Sequence, residues 1–260
     1  MMKNKFPLIP TLVILLLVAA CSPTVVTSTI PVGEIEATTQ EPIVPVIITE
    51  CNNPLYPVVV GATWTYAISG PPDSTQARTI QELRSDGFTD HDEFSGGISR
   101  TGEWSCQDGS LTALDPVGSS GATASVMTSG MMAAFQTTSS DGITLPAVVT
   151  EGTSWSQNIT LEGMQTINDV EVASKLTFSN DCTGAGEETV TVAAGTFTAR
   201  RVDCISSFVI TITMNGMEIP TATNATTTIW YVEGVGMVKN VSNLSDGITA
   251  SVELTEYNIP

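Results

Sequence analysis

The chain has 260 residues, a formal net charge of −18, and 42% hydrophobic against 14% charged residues. Acidity of this size argues against nucleic-acid partners, whose binding rests on neutralising phosphates. One histidine and no C-x-x-C pair leave a zinc site poorly supported.

Lys3 and Lys5 precede an apolar stretch from Leu8 to Leu17, which Val18-Ala19-Ala20-Cys21 closes. A basic start, a short apolar core and small residues before a cleavage point describe a secretory signal. A cysteine directly after that point resembles the bacterial lipoprotein box, in which the thiol is acylated and becomes the new N-terminus. This implies a palmitate-type lipid on Cys21 and a chain anchored to a membrane on the extracytoplasmic side of a bacterial envelope. The alternatives are a plain signal peptide with an incidental cysteine and a short membrane anchor. The run is short for a bilayer span, with Pro7 just before it and Pro10 within it. Cleavage removes Lys3 and Lys5 and no carboxylate, leaving 7 basic against 27 acidic residues. That surface repels anionic lipid, so the acyl chain rather than a basic patch must do the anchoring.

Residues 22–50 mix Pro23, Pro31, Pro42 and Pro45 with Thr, Val, Ile and Glu. They have no period able to build a core and read as an extended tether. Residues 51–260 follow as the folded part, rich in Thr, Ser, Gly and Val, without long Glu/Lys/Leu helical patterns. This is the composition of a β domain. Trp64, Tyr66 and Ile68 alternate with Thr65, Ala67 and Ser69, the period of a half-buried strand. Strands are predicted next at 76–84, 97–106 and 110–114, the last two joined by a turn at Asp108-Gly109. Later strands are predicted at 154–162, 170–179, 187–193, 196–214, 223–232, 235–242 and 248–257. Ala194-Gly195 and Asn215-Gly216 are hairpin turns, with glycine where positive φ is required. The result is an all-β fold: a curved antiparallel sheet or half-barrel, with possible lobes at 51–114 and 145–260.

The inserted stretch 115–144 is different. Met127, Met131, Met132 and Phe135 lie among Gly, Ser and Ala, and predict one short helix. Two roles are open to it. The methionines either pack the helix onto the sheet or line the mouth of an apolar groove, for which flexible thioethers are suited.

Cys51, Cys106, Cys182 and Cys204 remain after Cys21, an even number in an exported chain. Four cysteines allow three pairings. Cys51–Cys106 and Cys182–Cys204 are the favoured ones, the second closing a hairpin and worth about 3 kcal/mol.

Tyr56-Pro57 through Trp64 resembles Leu145-Pro146 through Trp155: an apolar residue, Pro, a β-branched run, Gly, a small pair and Trp. This is a strand start used twice, with Gly making the bend and Trp anchoring the strand. It suggests two similar half-sheets.

The stretches G-A-T-W-T-Y (61–66), V-T-V-A-A-G-T-F-T-A-R-R-V (190–202) and I-W-Y-V-E-G-V-G-M-V-K (229–239) resemble a group of uncharacterised bacterial envelope proteins that includes the TapB-like proteins. More distantly they resemble the half-barrel lipoprotein carriers LolA and LppX. The resemblance implies structural roles for Trp64, Gly195, Phe197, Trp230, Gly234 and Gly236, and supplies no catalytic residues. The carriers imply an apolar groove on the concave side of the sheet.

His91 is the only candidate catalytic base, and it lies in Asp90-His91-Asp92-Glu93 after Asp86. No G-x-S-x-G, H-E-x-x-H or P-loop pattern accompanies it. The acidic residues around it read as a solvated loop, or as calcium ligands at a spacing that does not fit an EF-hand. No catalytic residue, metal or cofactor is expected. The chain is read as a non-enzymatic lipoprotein with one of two roles. It binds an apolar or amphiphilic ligand on the concave face, or it has a filled core and meets envelope proteins through its surface. A carbohydrate-active enzyme using a carboxylate pair is the third reading.

Overall fold

The computed structural model describes residues 49–70, 73–115, 135–167, 169–214 and 216–260. Among these there is no helix, and twelve strands form one antiparallel sheet. The first five are β1 (Thr63–Ser69), β2 (Ser74–Leu83), β3 (Gly87–Phe94), β4 (Ile98–Gln107) and β5 (Ser110–Ala113). The remainder are β6 (Phe135–Gly142), β7 (Ser154–Ile167), β8 (Val170–Val192), β9 (Gly195–Met214), β10 (Met217–Val232), β11 (Gly236–Leu244) and β12 (Thr249–Asn258).

Across the sheet the order is β5-β4-β3-β2-β1-β12-β11-β10-β9-β8-β7-β6. Each half is a meander of hairpins, and the last strand of the chain joins them by pairing with the first. The outer strands then curl toward each other. Leu111 and Leu145 exchange backbone hydrogen bonds of 2.9 and 3.0 Å. Side chains seal the rest of the seam: Thr112 Oγ1 donates to Gly142 O, Ser140 Oγ to Ala113 O, and Thr137 Oγ1 to Asp115 Oδ1. The sheet is thereby nearly closed into a barrel.

The duplicated strand start is visible in the hydrogen bonds. Gly61 has φ 84° and Gly152 φ 83°. Gly61 N donates to Ile80 O, Ala62 N to Val59 O, and Ile80 N to Ala62 O. Gly152 N donates to Gly184 O, Thr153 N to Thr150 O, and Gly184 N to Thr153 O. The two turns are the same device, each leading into a strand paired with the next hairpin arm. β6 stands beside β7 as β12 stands beside β1.

The main core gathers inward-facing residues of both halves. Tyr56 packs 5.7, 5.9 and 5.5 Å from the rings of Trp64, Phe88 and Trp104, and Phe88 stacks on Trp104 at 5.1 Å. A second cluster lies farther along the long strands, where Ile159, Leu161, Leu176 and Phe178 are buried together and Phe135, Phe208 and Ile210 pack on them. In β8, Val172, Leu176 and Phe178 face inward, as alternation requires.

Three expectations need correction. Residues 87–94 are strand β3 and not a solvated acidic loop. The predicted strands at 170–179 and 187–193 are one strand, β8, whose register shifts between Gly184 and Glu187 as a bulge instead of breaking. The inserted stretch contributes strand β6 from Phe135; the predicted helix, with Met127, Met131 and Met132, otherwise lies outside the described residues.

Candidate functional site

The interior holds an ionic cluster where three strands meet. The register sets Arg78 of β2 opposite Asp92 of β3, and Asp92 opposite Arg100 of β4. Arg78 donates through Nε and Nη2 to the two oxygens of Asp92, at 2.8 and 3.0 Å. Arg100 Nε donates to Asp92 Oδ2 at 3.0 Å and Nη2 to Asp90 Oδ1 at 3.3 Å. Gln76 Nε2 adds a 2.8 Å bond to Asp92 Oδ1. Asp90 lies opposite Gly102, and a Cβ there would come within 2.3 Å of Asp90 Oδ1. Glycine at this position leaves the room that the carboxylate occupies.

Two guanidinium groups balance two carboxylates, so the cluster carries no net charge into the core. Burial pushes the Asp92 carboxyl up, but the charge and hydrogen bonds of Arg78, helped by Arg100 and Gln76, hold it well below the usual carboxylate range. Burial raises the hydroxyls of Tyr56 and Tyr66, and pushes that of Tyr231 up to about 12, with Arg78 opposing in each case. None of these groups is poised for proton transfer near neutral pH.

Among the described residues, two small cavities lie in the interior. A cavity of about 40 Å³ lies between Trp155, Gln157, Cys182, Cys204 and Tyr231, and one of about 20 Å³ lies beside Tyr56 and Arg78. Small-molecule sites occupy roughly 300–1,000 Å³. Space of that size occurs on the outer face, as an open depression of about 660 Å³ across β7 to β10. One row of it, Ser154, Thr183, Asp203 and Thr228, follows the ladder from strand to strand. Ser154 Oγ lies 3.1 Å from Thr183 Oγ1, and Asp203 Oδ1 accepts from Thr228 Oγ1 at 2.9 Å and from Arg201 Nε at 3.0 Å. Ile205, 65% exposed, stands in the same depression.

Of the residues singled out in the sequence, Cys51 is bonded to Cys106, and Cys182 to Cys204, which face each other directly across β8 and β9. Phe135 opens β6 and packs on the second apolar cluster. Cys21, Met127, Met131 and Met132 lie outside the described residues. His91 faces away from the ionic cluster, its Nδ1 3.4 Å from Thr101 Oγ1 and its Nε2 3.7 Å from Glu93. Asp90 and Asp92 are engaged by arginines, and among the described residues no group of three His, Cys, Asp or Glu is placed to hold a metal ion. Sequence reasoning missed Arg78 and Arg100 altogether. The available signal was the i, i+2 spacing of Phe88, Asp90, Asp92 and Phe94, which puts two rings and two carboxylates on one face of a strand.

No family model matches the chain, and no curated protein matches it in sequence. Solved structures do. An exported protein with a YmcC-like fold from Bacteroides fragilis superposes with a TM-score of 0.50 at 13% identity, over 78% of this chain and 98% of that one. A lipoprotein from Parabacteroides distasonis gives 0.48 at 13% identity, over 79% and 99%. The hypothetical lipoprotein YmcC from Escherichia coli gives 0.33 at 10%, over 82% and 91%. At these identities the likeness is one of fold, and it rests on the Bacteroides fragilis protein, nearly all of which is covered.

Proposed function

We propose that the chain is a lipid-anchored lipoprotein of the bacterial envelope that works by surface contact, without catalysis and without enclosing a ligand. The observation that carries this reading is the core among the described residues, where the rings of Tyr56, Trp64, Phe88 and Trp104 and the Arg78–Asp92 ion pair occupy the space that an apolar groove would need. Export is supported by the Val18-Ala19-Ala20-Cys21 sequence and by two disulfides, which persist in oxidising compartments. The open depression across β7 to β10 is the surface offered to an envelope partner.

The resemblance to the TapB-like group fits this reading, whereas the LolA and LppX carriers suggest a second one. Phe135 packs on an apolar cluster separate from the main core, and that favours an amphiphile site beside β6. One experiment separates the two. Full-length protein is gently extracted from membranes, mapped for acylation at Cys21, and titrated with a fluorescent fatty acid. Acylated Cys21 without saturable fatty-acid binding is expected. Saturable one-to-one binding would replace the contact reading with the carrier-like one, and a Cys21 free of lipid would remove the anchor.

A further inference from the structure

Tyr56 precedes β1 and is buried, its ring held among Trp64, Phe88 and Trp104. Its hydroxyl is buried and has no hydrogen-bond partner among the described residues. Leaving a buried hydroxyl unpaired is costly, and native cores almost always avoid it. Beside it lies the cavity of about 20 Å³, walled by Tyr56, Arg78, Trp104, Thr144, Tyr231 and Met237. About 10–15 Å³ is enough for one water molecule, provided that two to four polar groups reach it.

The polar groups there are unevenly committed. Thr144 Oγ1 already donates to Gln157 Oε1 and accepts from Ala113 N. The Met237 carbonyl accepts from Tyr66. Arg78 spends Nε and Nη2 on Asp92, and its Nη1 has no acceptor among the described residues. Asp90 Oδ2 is buried without a hydrogen bond, 3.5 Å from Arg78 Nε. Burial pushes the Tyr56 hydroxyl up, with Arg78, which walls the same cavity, opposing.

The chemistry of the occupant follows. A cation would meet the Arg78 guanidinium, and a small anion would meet Asp90 and Asp92. An apolar guest would leave the hydroxyl unpaired. A neutral molecule able both to donate and to accept satisfies the site. We propose that this cavity is a hydration site built into the core, in which one water molecule accepts from Arg78 Nη1 and bonds the Tyr56 hydroxyl. The water ties the segment before β1 to β2, at a cavity that Tyr231 of β10 also walls.

Tyr56→Phe keeps the ring and removes only the hydroxyl. A bridged hydroxyl and an unpaired one respond in opposite directions. With the bridge, the full-length variant unfolds about 2–4 °C below wild type, the shift expected for one lost hydrogen bond in a domain of this size. An equal or higher midpoint overturns the proposal. The second measurement does not depend on the variant: a crystal structure of the wild type at a resolution that shows ordered solvent. Density for one water within hydrogen-bond distance of both Tyr56 Oη and Arg78 Nη1 is expected. A cavity without such density, or with a density peak that fits an ion, overturns it.

Discussion

Asp92 accepts from three side chains with no route to solvent, so its removal does more than delete a contact. Asp92→Ala leaves Arg78 and Arg100 facing each other with one carboxylate between them. The expected cost is about 3–5 kcal/mol, the range for breaking a buried ion pair from one side. A denaturant titration checks this, and a midpoint near wild type would mean that the cluster is not sealed. The same residue sets an acid limb. Its folded-state pKa is depressed, so its contribution is complete above the unfolded value of about 4 and is lost as pH falls through the folded one. Stability should drop below about pH 4, and Asp92→Asn should flatten that limb while lowering the plateau at neutral pH. The spacing within β3 signalled which way Asp90 and Asp92 face, but not what they meet there. Carboxylates on a strand read as solvated until their partners are known, and those partners sit on two other strands.

At the level of the element, most strands were legible because alternation marks a sheet with one buried face. β6 was not, because Phe135–Gly142 is Ser- and Thr-rich and carries no apolar period; its register comes from β7. β8 was split because Gly184-Ala185-Gly186 reads as a break, while the ladder absorbs it as a bulge. The duplicated turns were legible as a short sequence echo, and their equivalence makes a quantitative demand. Gly61 and Gly152 share one φ, and a Cβ at either meets nothing within 4 Å. Gly61→Ala and Gly152→Ala should therefore each cost about 1–2 kcal/mol, from backbone strain alone. Penalties that differ by more than the smaller of them would break the equivalence.

Across the whole molecule, the sheet closes in two different ways. β11 and β12 share a regular ladder, whereas β5 meets β6 through hydroxyl side chains and the segment after β6 through one backbone bridge, Leu111–Leu145. Side-chain bonds break singly, while ladder bonds break together. Hydrogen exchange should thus find the amides of β5 and β6 less protected than those of β11 and β12. Equal protection would show that the seam is as firm as the ladder. The candidate contact surface was not legible in the sequence, since the depression exists only where outward-facing residues of four strands come side by side.

The first strand of the fold pairs with the last, and Thr255 Oγ1 donates to Thr65 O across a sequence separation of 190. A chain that crosses a membrane from its N-terminus delivers β1 early and β12 at the end. Until then β1 has a neighbour on one side only, and the two meanders meet only at the seam around Leu111 and Leu145. Contacts of such long range form slowly. A chain exported in that order completes this sheet only once its last strand has been released.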